Sequence, residues 1–338
     1  MVRNDNVIYK KMIEEGISQK ERIEKVVSSI FNEKKHIENI FLVGCGGSLA
    51  VMFPCKYVLE TNSNTPVYIY NASEFNALKP INLTSKSLVI LSSYSGSTPE
   101  TVEAAKYIKT IGAPTIGFTG KEDSPLGDAV DYVFANYAET GVTDSKIIML
   151  YQIIFNVLKY NDDYKKYDEV MKAMSTLGDS LVKVKEKAEP IAEKFAEENK
   201  DEEFFMTLGS GICWGETYAY AICILEEMQW IHAQPIHAGE FFHGSFEVVR
   251  EDTNLLIFKG EDKTRSLVDR VESFANKYTK KYTLIDTKDY ELPGVPEEFR
   301  EYFSPLILSA VLDRFSKHLA DKREHSLDIR KYMGKVQY

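Results

Sequence analysis

NIFLVGCGGS, residues 39–48, decides how the rest of this chain is read. Its apolar run is too short for a helix and stops at Gly44, so it predicts a buried strand ending in a glycine loop. A helical segment of about fourteen residues follows, to near Glu60. Further out the alternation continues, with strands at Pro66–Tyr70 (PVYIY), Ser87–Ser92 (SLVILS), Pro114–Phe118 (PTIGF) and Asp131–Ala135 (DYVFA), and a helix starting near Pro99. Strands alternating with helices predict a parallel, doubly wound α/β sheet. Far downstream, residues 203–211 read EFFMTLGSG and repeat the arrangement of strand, Gly-x-Gly and helix. Strands at Thr253–Lys259 and Lys281–Asp286 follow, with helices near Lys263–Lys277 and Phe303–Ala320. The fold class expected is therefore α/β with two similar doubly wound lobes, an internal duplication.

The texture of the chain sets the expected boundaries. Residues 1–35 are a helical segment whose Ile23, Val26, Val27 and Ile30 fall at helical spacing. The first lobe spans 36–160 and a charged helical connection 161–200. The second lobe spans 201–322, and a basic-aromatic tail covers 323–338. With 338 residues and 44% hydrophobic content, both lobes have material for a core. The net charge of −10 argues against nucleic acid or an anionic membrane as a general partner. It does not exclude a small anion held by local N–H groups. Cys45, Cys55, Cys213 and Cys223 form no C-x-x-C pair, which points away from zinc and toward reduced thiols. The charged first residues lack the apolar core of a leader, and no run is long enough to span a membrane, so a cytoplasmic protein is expected.

The glycine loop is not a nucleotide signature. In Gly44-Cys45-Gly46-Gly47-Ser48-Leu49 the last glycine of a dinucleotide fingerprint is replaced by Leu49, and the next strand ends in Tyr70-Asn71 where a ribose-binding acid would stand. The nearest P-loop candidate, Gly120-Lys121-Glu122, lacks the rest of that motif. Ser93-Tyr94-Ser95-Gly96-Ser97-Thr98-Pro99-Glu100 is more informative. It lies between a strand and a helix at the carboxyl end of a parallel sheet, where such sheets bind ligands. Its hydroxyls and the free N–H groups of a helix start would make an anion cradle. Helix capping is the competing reading, with Ser97 and Glu100 as a capping box and Thr98-Pro99 as N-cap and first residue. Capping leaves Ser93 and Ser95 unexplained.

Residues 225–247, LEEMQWIHAQPIHAGEFFHGSFE, hold the candidate chemistry. On a helix Glu227 would neighbour Cys223, Ile224, Trp230 and Ile231, all apolar. Partial desolvation there would raise its pKa toward the range of a general acid or base, and His243 is a partner titrating in the same range. The alternative is a half-buried glutamate satisfied by backbone and a histidine in a surface turn. Spacings of five and six keep His232, His237 and His243 off a common helical face, which disfavours a metal site; His232 and His237 are expected as core residues, with the helix ending at Pro235.

The combination of motifs resembles a known family. Gly44-Cys45-Gly46-x-Ser48, Ser93-x-Ser95-Gly96-x-Thr98, Ser124-Pro125-Leu126 and Glu139-x-Gly141-Val142-x-x-Ser145-Lys146 are similar to a sugar isomerase (SIS) domain. Glu227 and His243, with His232, Gly239-Glu240 and Gly244, resemble the second SIS domain of glucosamine-6-phosphate synthases. Met228–His232, Ile236–Gly244 and the tail Arg330–Val336 are most like the deglycases that act on fructosamine 6-phosphates. The resemblance covers roughly residues 36–338. It implies two SIS-type lobes with parallel sheets flanked by helices. It also implies phosphate-binding hydroxyls at Ser48, Ser93, Ser95 and Thr98, and an acid/base pair at Glu227 and His243. Gly46, Gly47, Tyr94, Ser145 and Lys335 become further substrate-binding candidates. No cofactor and no metal are implied.

In such proteins the histidine serves the partner's site, so the resemblance implies a homodimer with composite sites acting on a phosphorylated sugar-amine. Asp144, Ser245 and Tyr94 stand where synthase-type isomerases usually carry serine, proline and glutamine. These departures favour a deglycase over a plain hexose-phosphate isomerase. An aldose–ketose isomerase and a non-catalytic phosphosugar-binding module stay open as alternatives.

Overall fold

The computed structural model describes residues 4–136 and 143–336. By contacts the chain divides into two units, one spanning Val7–Gly178 and the other running from Asp179 onward together with the residues through Asn6. The Glu139, Gly141 and Val142 positions of the fourth motif lie outside the described residues.

In the first unit, β1 (Asn39–Gly44), β2 (Val67–Asn71), β3 (Ser87–Ser92), β4 (Thr115–Thr119) and β5 (Tyr132–Ala135) form one parallel sheet in the order β2-β1-β3-β4-β5. The central strands β1 and β3 are buried along their whole length, while the edges β2 and β5 are mostly half-buried. That is why NIFLVG and SLVILS are near-continuous apolar runs: in a parallel sheet covered on both faces there is no solvent side for polar residues to alternate onto. Phe41, Val43, Val89 and Leu91 pack with Phe75, Ala105 and Ile108, and each fully buried aliphatic side chain contributes roughly 1.5–3 kcal/mol. The flanking helices are α1 (Asn6–Ser18), α2 (Lys20–Lys34), α3 (Gly47–Ala50), α4 (Phe53–Asn62), α5 (Ala72–Leu78), α6 (Pro99–Ile111), α7 (Pro125–Ala129), α8 (Asp144–Asp162) and α9 (Tyr167–Met174). Helix α10 (Leu177–Asn199) carries the chain into the second unit.

The second sheet is also parallel, in the order β7-β6-β8-β9, from β6 (Phe204–Gly209), β7 (His232–His237), β8 (Leu255–Lys259) and β9 (Tyr282–Asp286). Its helices are α11 (Trp214–Ala219), α12 (Glu227–Gln229), α13 (Arg265–Tyr278) and α14 (Arg300–Lys322). Leu208, Ile257, Val268 and Val271 form its core. The fold class is α/β, with two parallel sheets flanked by helices.

Two elements depart from the sequence reading. Helix α5 starts directly after β2 because Asn71 is its N-cap, its side-chain oxygen accepting from the Ser73 N–H at 2.9 Å. The larger departure is β7. Pro235 does not end a helix; it sits within an edge strand opposite Thr207, the one kind of strand that tolerates a residue without an N–H donor.

Candidate active site

The first sheet has a topological switch point between β1 and β3: β2 lies on one side of β1 and β3 on the other. Ligands of open α/β sheets sit at that crevice. Gly44 at the end of β1 pairs with Ser92 at the end of β3, so the loops carrying Ser48 and Ser93–Thr98 leave the sheet side by side. The Ser93 hydroxyl lies 2.8 Å from that of Thr98 and 3.4 Å from that of Ser95, and Ser95 Oγ accepts from the Ser97 N–H at 3.2 Å. Ser93 is buried, Thr98 half-buried and Ser95 exposed, a graded path from the protein interior to solvent.

Thr98 is the N-cap of α6 by position, yet its hydroxyl makes no capping bond. The capping reading therefore fails for this side chain, and the first turn of α6 keeps N–H groups without a side-chain acceptor. Gly96 is required at its place. Its φ is +67°, and a Cβ there would lie 2.5 Å from Ser124 Cβ and Oγ. Ser124 in turn caps α7 by accepting from the Gly127 N–H at 3.2 Å, and the Leu126 N–H donates to Gly96 O at 2.9 Å. The Ser124-Pro125-Leu126 motif is thus the brace behind the hydroxyl loop. Gly46 (φ +53°) and Gly47 begin α3, which holds Ser48 half-buried; no hydrogen bond joins Ser48 to the Ser93 group. Tyr94 is exposed, and its carbonyl takes the Gly120 N–H at 2.7 Å.

Glu227 occupies an irregular turn. Tyr220–Glu226 form a π-helix, Glu227–Gln229 one α-turn, and Trp230 ends it in the left-handed region with φ +57°. π-Turns inside helices recur at functional sites. The surroundings differ from the expected apolar stripe. The helix stops before Trp230 and Ile231, so neither stacks on Glu227 as an i+3 or i+4 neighbour; Ile231 is buried and Trp230 exposed. Instead the Arg330 Nε donates to the Glu227 carboxylate at 2.8 Å, with both side chains about one-quarter exposed (21% and 24%). The C-terminal segment is tied to this turn at two more points: the Gln229 amide donates to His325 O at 2.9 Å, and Trp230 meets the His325 ring edge-on at 4.5 Å. Glu226 is the structural member of the pair, accepting from the Ala233 N–H at 3.2 Å at the start of β7.

The histidines separate. His243 stands exposed in a short 3₁₀ turn, Phe241–His243, its backbone N–H donating to Glu240 O at 2.9 Å and its ring making no hydrogen bond among the described residues, so the Glu227 and His243 side chains of one chain are not bonded. Around it Phe242, Phe246, Phe274 and Tyr278 form an aromatic cluster bordering a groove of about 550 Å³. His232 is exposed on β7 rather than in the core, because the edge strand turns it outward. His237 is half-buried: Nδ1 accepts from the Gly239 N–H at 3.2 Å, Trp214 packs on its ring, and burial pushes its pKa down, opposed by Glu240. Ser145 is fully buried in the first turn of α8, where Gly16 of α1 has room for no Cβ. Lys335 donates to Arg330 O at 2.5 Å. Among the described residues no group of three His, Cys, Asp or Glu side chains could hold a metal.

Two charged residues escaped the sequence reading. Arg330 was visible only as part of a basic tail, because its partner lies 103 residues away. Lys146 was quoted within a motif, but nothing in its spacing told that it is buried, 1% exposed, with its ammonium 3.2 Å from the Ser92 hydroxyl.

A doubly wound α/β protein with an open hydroxyl loop at its switch point is the class that fold and geometry define. Residues 34–153 match the SIS domain family model. The chain is 40% identical over 308 residues to fructosamine deglycase FrlB of Bacillus subtilis, covering 90% of this chain and 94% of that protein. It is 23% identical over 301 residues to fructoselysine 6-phosphate deglycase of Escherichia coli, covering 89% and 87%. A solved Bacillus subtilis structure described as a phosphosugar isomerase matches with a TM-score of 0.89 at 38% identity, over 93% of this chain and 97% of that one. The chain belongs to the SIS domain family.

Proposed function

We propose that this protein is a fructosamine 6-phosphate deglycase, cleaving a fructosyl-amino acid 6-phosphate to glucose 6-phosphate and a free amino acid. The observation that carries the reading is the convergence of Ser93, Ser95 and Thr98 at the switch point, with a Thr98 hydroxyl that its own helix does not use. A hydroxyl trio beside a helix start suits a phosphate dianion, and a deglycase 40% identical over nearly the whole chain supports the substrate class.

The open-chain substrate carries a ketone at C2 and an amine on C1. Glu227, as carboxylate, takes a proton from C1 and gives an enolamine. Return of a proton at C2 gives the C1 imine. Water adds to C1 and the amine leaves, so substrate plus water balance glucose 6-phosphate plus amino acid. Ser48 and the Ser93 loop hold the phosphate, whose remote binding energy orients C1 and C2 for proton transfer. Arg330 holds the Glu227 carboxylate in place. Gly46, Gly47 and Tyr94 line the approach to the loop, and Ser145 and Lys335 are further substrate-binding residues of this reading. His243 moves protons at the sugar oxygens. Its ring is exposed and makes no hydrogen bond among the described residues of its own chain, which supports its serving the site of a second subunit in a cytoplasmic homodimer with composite sites. The two lobes are then both SIS domains, the first at 36–160 and the second at 201–322.

The experiment is to offer fructosyl-amino acid 6-phosphates and assay glucose 6-phosphate release. Release sustains the deglycase. Interconversion of fructose and glucose 6-phosphates without amine release would make it an isomerase, as the similar Bacillus structure is described. Binding without turnover of either would leave a phosphosugar-binding module.

A further inference from the structure

Lys146 is a buried charge that the chemistry above does not use. It lies in the first turn of α8, 1% exposed. Among the described residues its ammonium has one hydrogen-bond partner, the Ser92 hydroxyl at 3.2 Å, and no ion-pair partner. An ammonium has three donors and, once buried, normally finds a counter-ion. Lys185, equally buried, shows the usual solution: its Nζ lies 2.8 Å from Asp5 and 2.9 Å from Asp313. Among the described residues, the carboxylate on its own helical turn is engaged elsewhere. Asp144, on the same helical turn, takes the Tyr9 hydroxyl of α1 at 2.5 Å, and β3 offers only Ser92. Ser92 is the last residue of β3, immediately before the hydroxyl loop, and is itself fully buried.

We propose that Lys146 is the electrostatic half of the phosphate site, a cation set one layer beneath the Ser93–Thr98 loop whose missing counter-ion is the bound phosphate dianion. The inference rests on reading that loop as a phosphate cradle. It explains how a loop of neutral hydroxyls in a chain of net charge −10 attracts a dianion. It explains why this buried lysine has no carboxylate partner among the described residues: a permanent acid there would neutralise the charge and repel the ligand. Burial alone pushes the Lys146 pKa down, to about 8. A docked dianion favours the ammonium, so binding above that pH takes up a proton. Affinity should be level from roughly pH 6.5, where a phosphate monoester is already largely dianionic, to about 8, and fall beyond it.

The test measures glucose 6-phosphate binding by calorimetry between pH 6.5 and 9.5, with glucose as the phosphate-free control. In the unaltered protein, titrations near pH 8.5 in buffers of different ionisation enthalpy should show proton uptake, which the already dianionic ligand cannot supply. Lys146→Met, which keeps length and packing, should bind roughly tenfold or more weakly, as expected for charges interacting at an effective dielectric of about 20, and should lose the decline above pH 8. Lys146→Arg should restore affinity and stay level at high pH. Absence of proton uptake, or a methionine variant binding as tightly with the same pH profile, would overturn the role of Lys146 while the cradle stands. Failure of the unaltered protein to prefer glucose 6-phosphate over glucose would sink both.

Discussion

The two sheets of this molecule end in loops of the same design and opposite chemistry. In each, a central first strand runs into a glycine loop, and the third strand beside it runs into a second loop. After β3 that second loop presents Ser93, Ser95 and Thr98. After β8 it presents Asp262, and Thr264 donates to that carboxylate through both N–H, at 2.8 Å, and hydroxyl, at 2.6 Å. The Ser210 hydroxyl lies 2.8 Å from that of Thr264. Gly211 (φ +53°) leaves no room for a Cβ, which would come 2.3 Å from Thr264 Oγ1 and 2.4 Å from Asp262 Oδ1. Ser95 and Asp262 both stand three residues past the ends of their strands. The second loop therefore carries its own carboxylate and closes on it; the first carries hydroxyls and no carboxylate. Two loops of one design thus differ by a single charged side chain. On the proposed function, binding falls to the first sheet's loop and chemistry to Glu227 of the second unit.

The sharpest way to test that division is Glu227→Gln. The amide keeps shape and hydrogen bonding to Arg330 but cannot take a proton. Turnover should fall by roughly 10²–10⁴, the range for loss of a general base, while glucose 6-phosphate binding stays within about twofold. Comparable loss of both, measured by steady-state kinetics and calorimetry, would merge the two roles.

Next in size is Ser95→Asp, which writes the second loop's chemistry into the first. A carboxylate beside a phosphate dianion repels it, and binding should weaken by roughly 100-fold, about 2.7 kcal/mol. Circular dichroism and melting should change little, since Ser95 is exposed. Undiminished affinity for glucose 6-phosphate would move the phosphate elsewhere. The reciprocal change, Asp262→Ser, should leave phosphosugar affinity and turnover intact. It strips Thr264 of its acceptor in a site where Asp262 is 4% exposed, so stability should drop by about 1–3 kcal/mol in denaturant titrations.

Much of the fold was legible because a parallel sheet writes itself as apolar runs: Asn39–Gly44 and Ser87–Ser92 are buried on both faces and need no partner to be recognised. β7 was not legible. Its burial follows no period of two, with only Ala233 and Ile236 buried, and Pro235, a helix breaker by local rules, is admissible only because the strand lies at an edge, which is a fact about topology. The hydroxyls of the first loop could be read from sequence because they are local to one strand–helix turn. The Glu227–Arg330 pair could not, since it joins residues far apart in the chain. Nor could the burial of Lys146. Local motifs reveal which groups a loop offers, whereas the pairing and burial of charges are decided by packing between distant elements.

The smallest expected effect separates two adjacent carboxylates. Glu226 ends the π-helix and Glu227 follows it, so the turn could aim either one at a substrate, and their partners distinguish them. Glu226 accepts from the Ala233 N–H and so joins the helix end to β7; Glu227 meets a cation on the tail. In Glu226→Gln the amide oxygen still accepts that N–H. A half-buried neutral-acceptor bond differs from its charge-assisted form by roughly 0.5–1.5 kcal/mol. Melting should therefore shift by a few degrees at most, and turnover by only a few-fold. A Glu226→Gln protein with turnover lost to the extent of Glu227→Gln, at intact phosphosugar affinity, would transfer the proton carrier to its neighbour and leave Arg330 holding a structural glutamate.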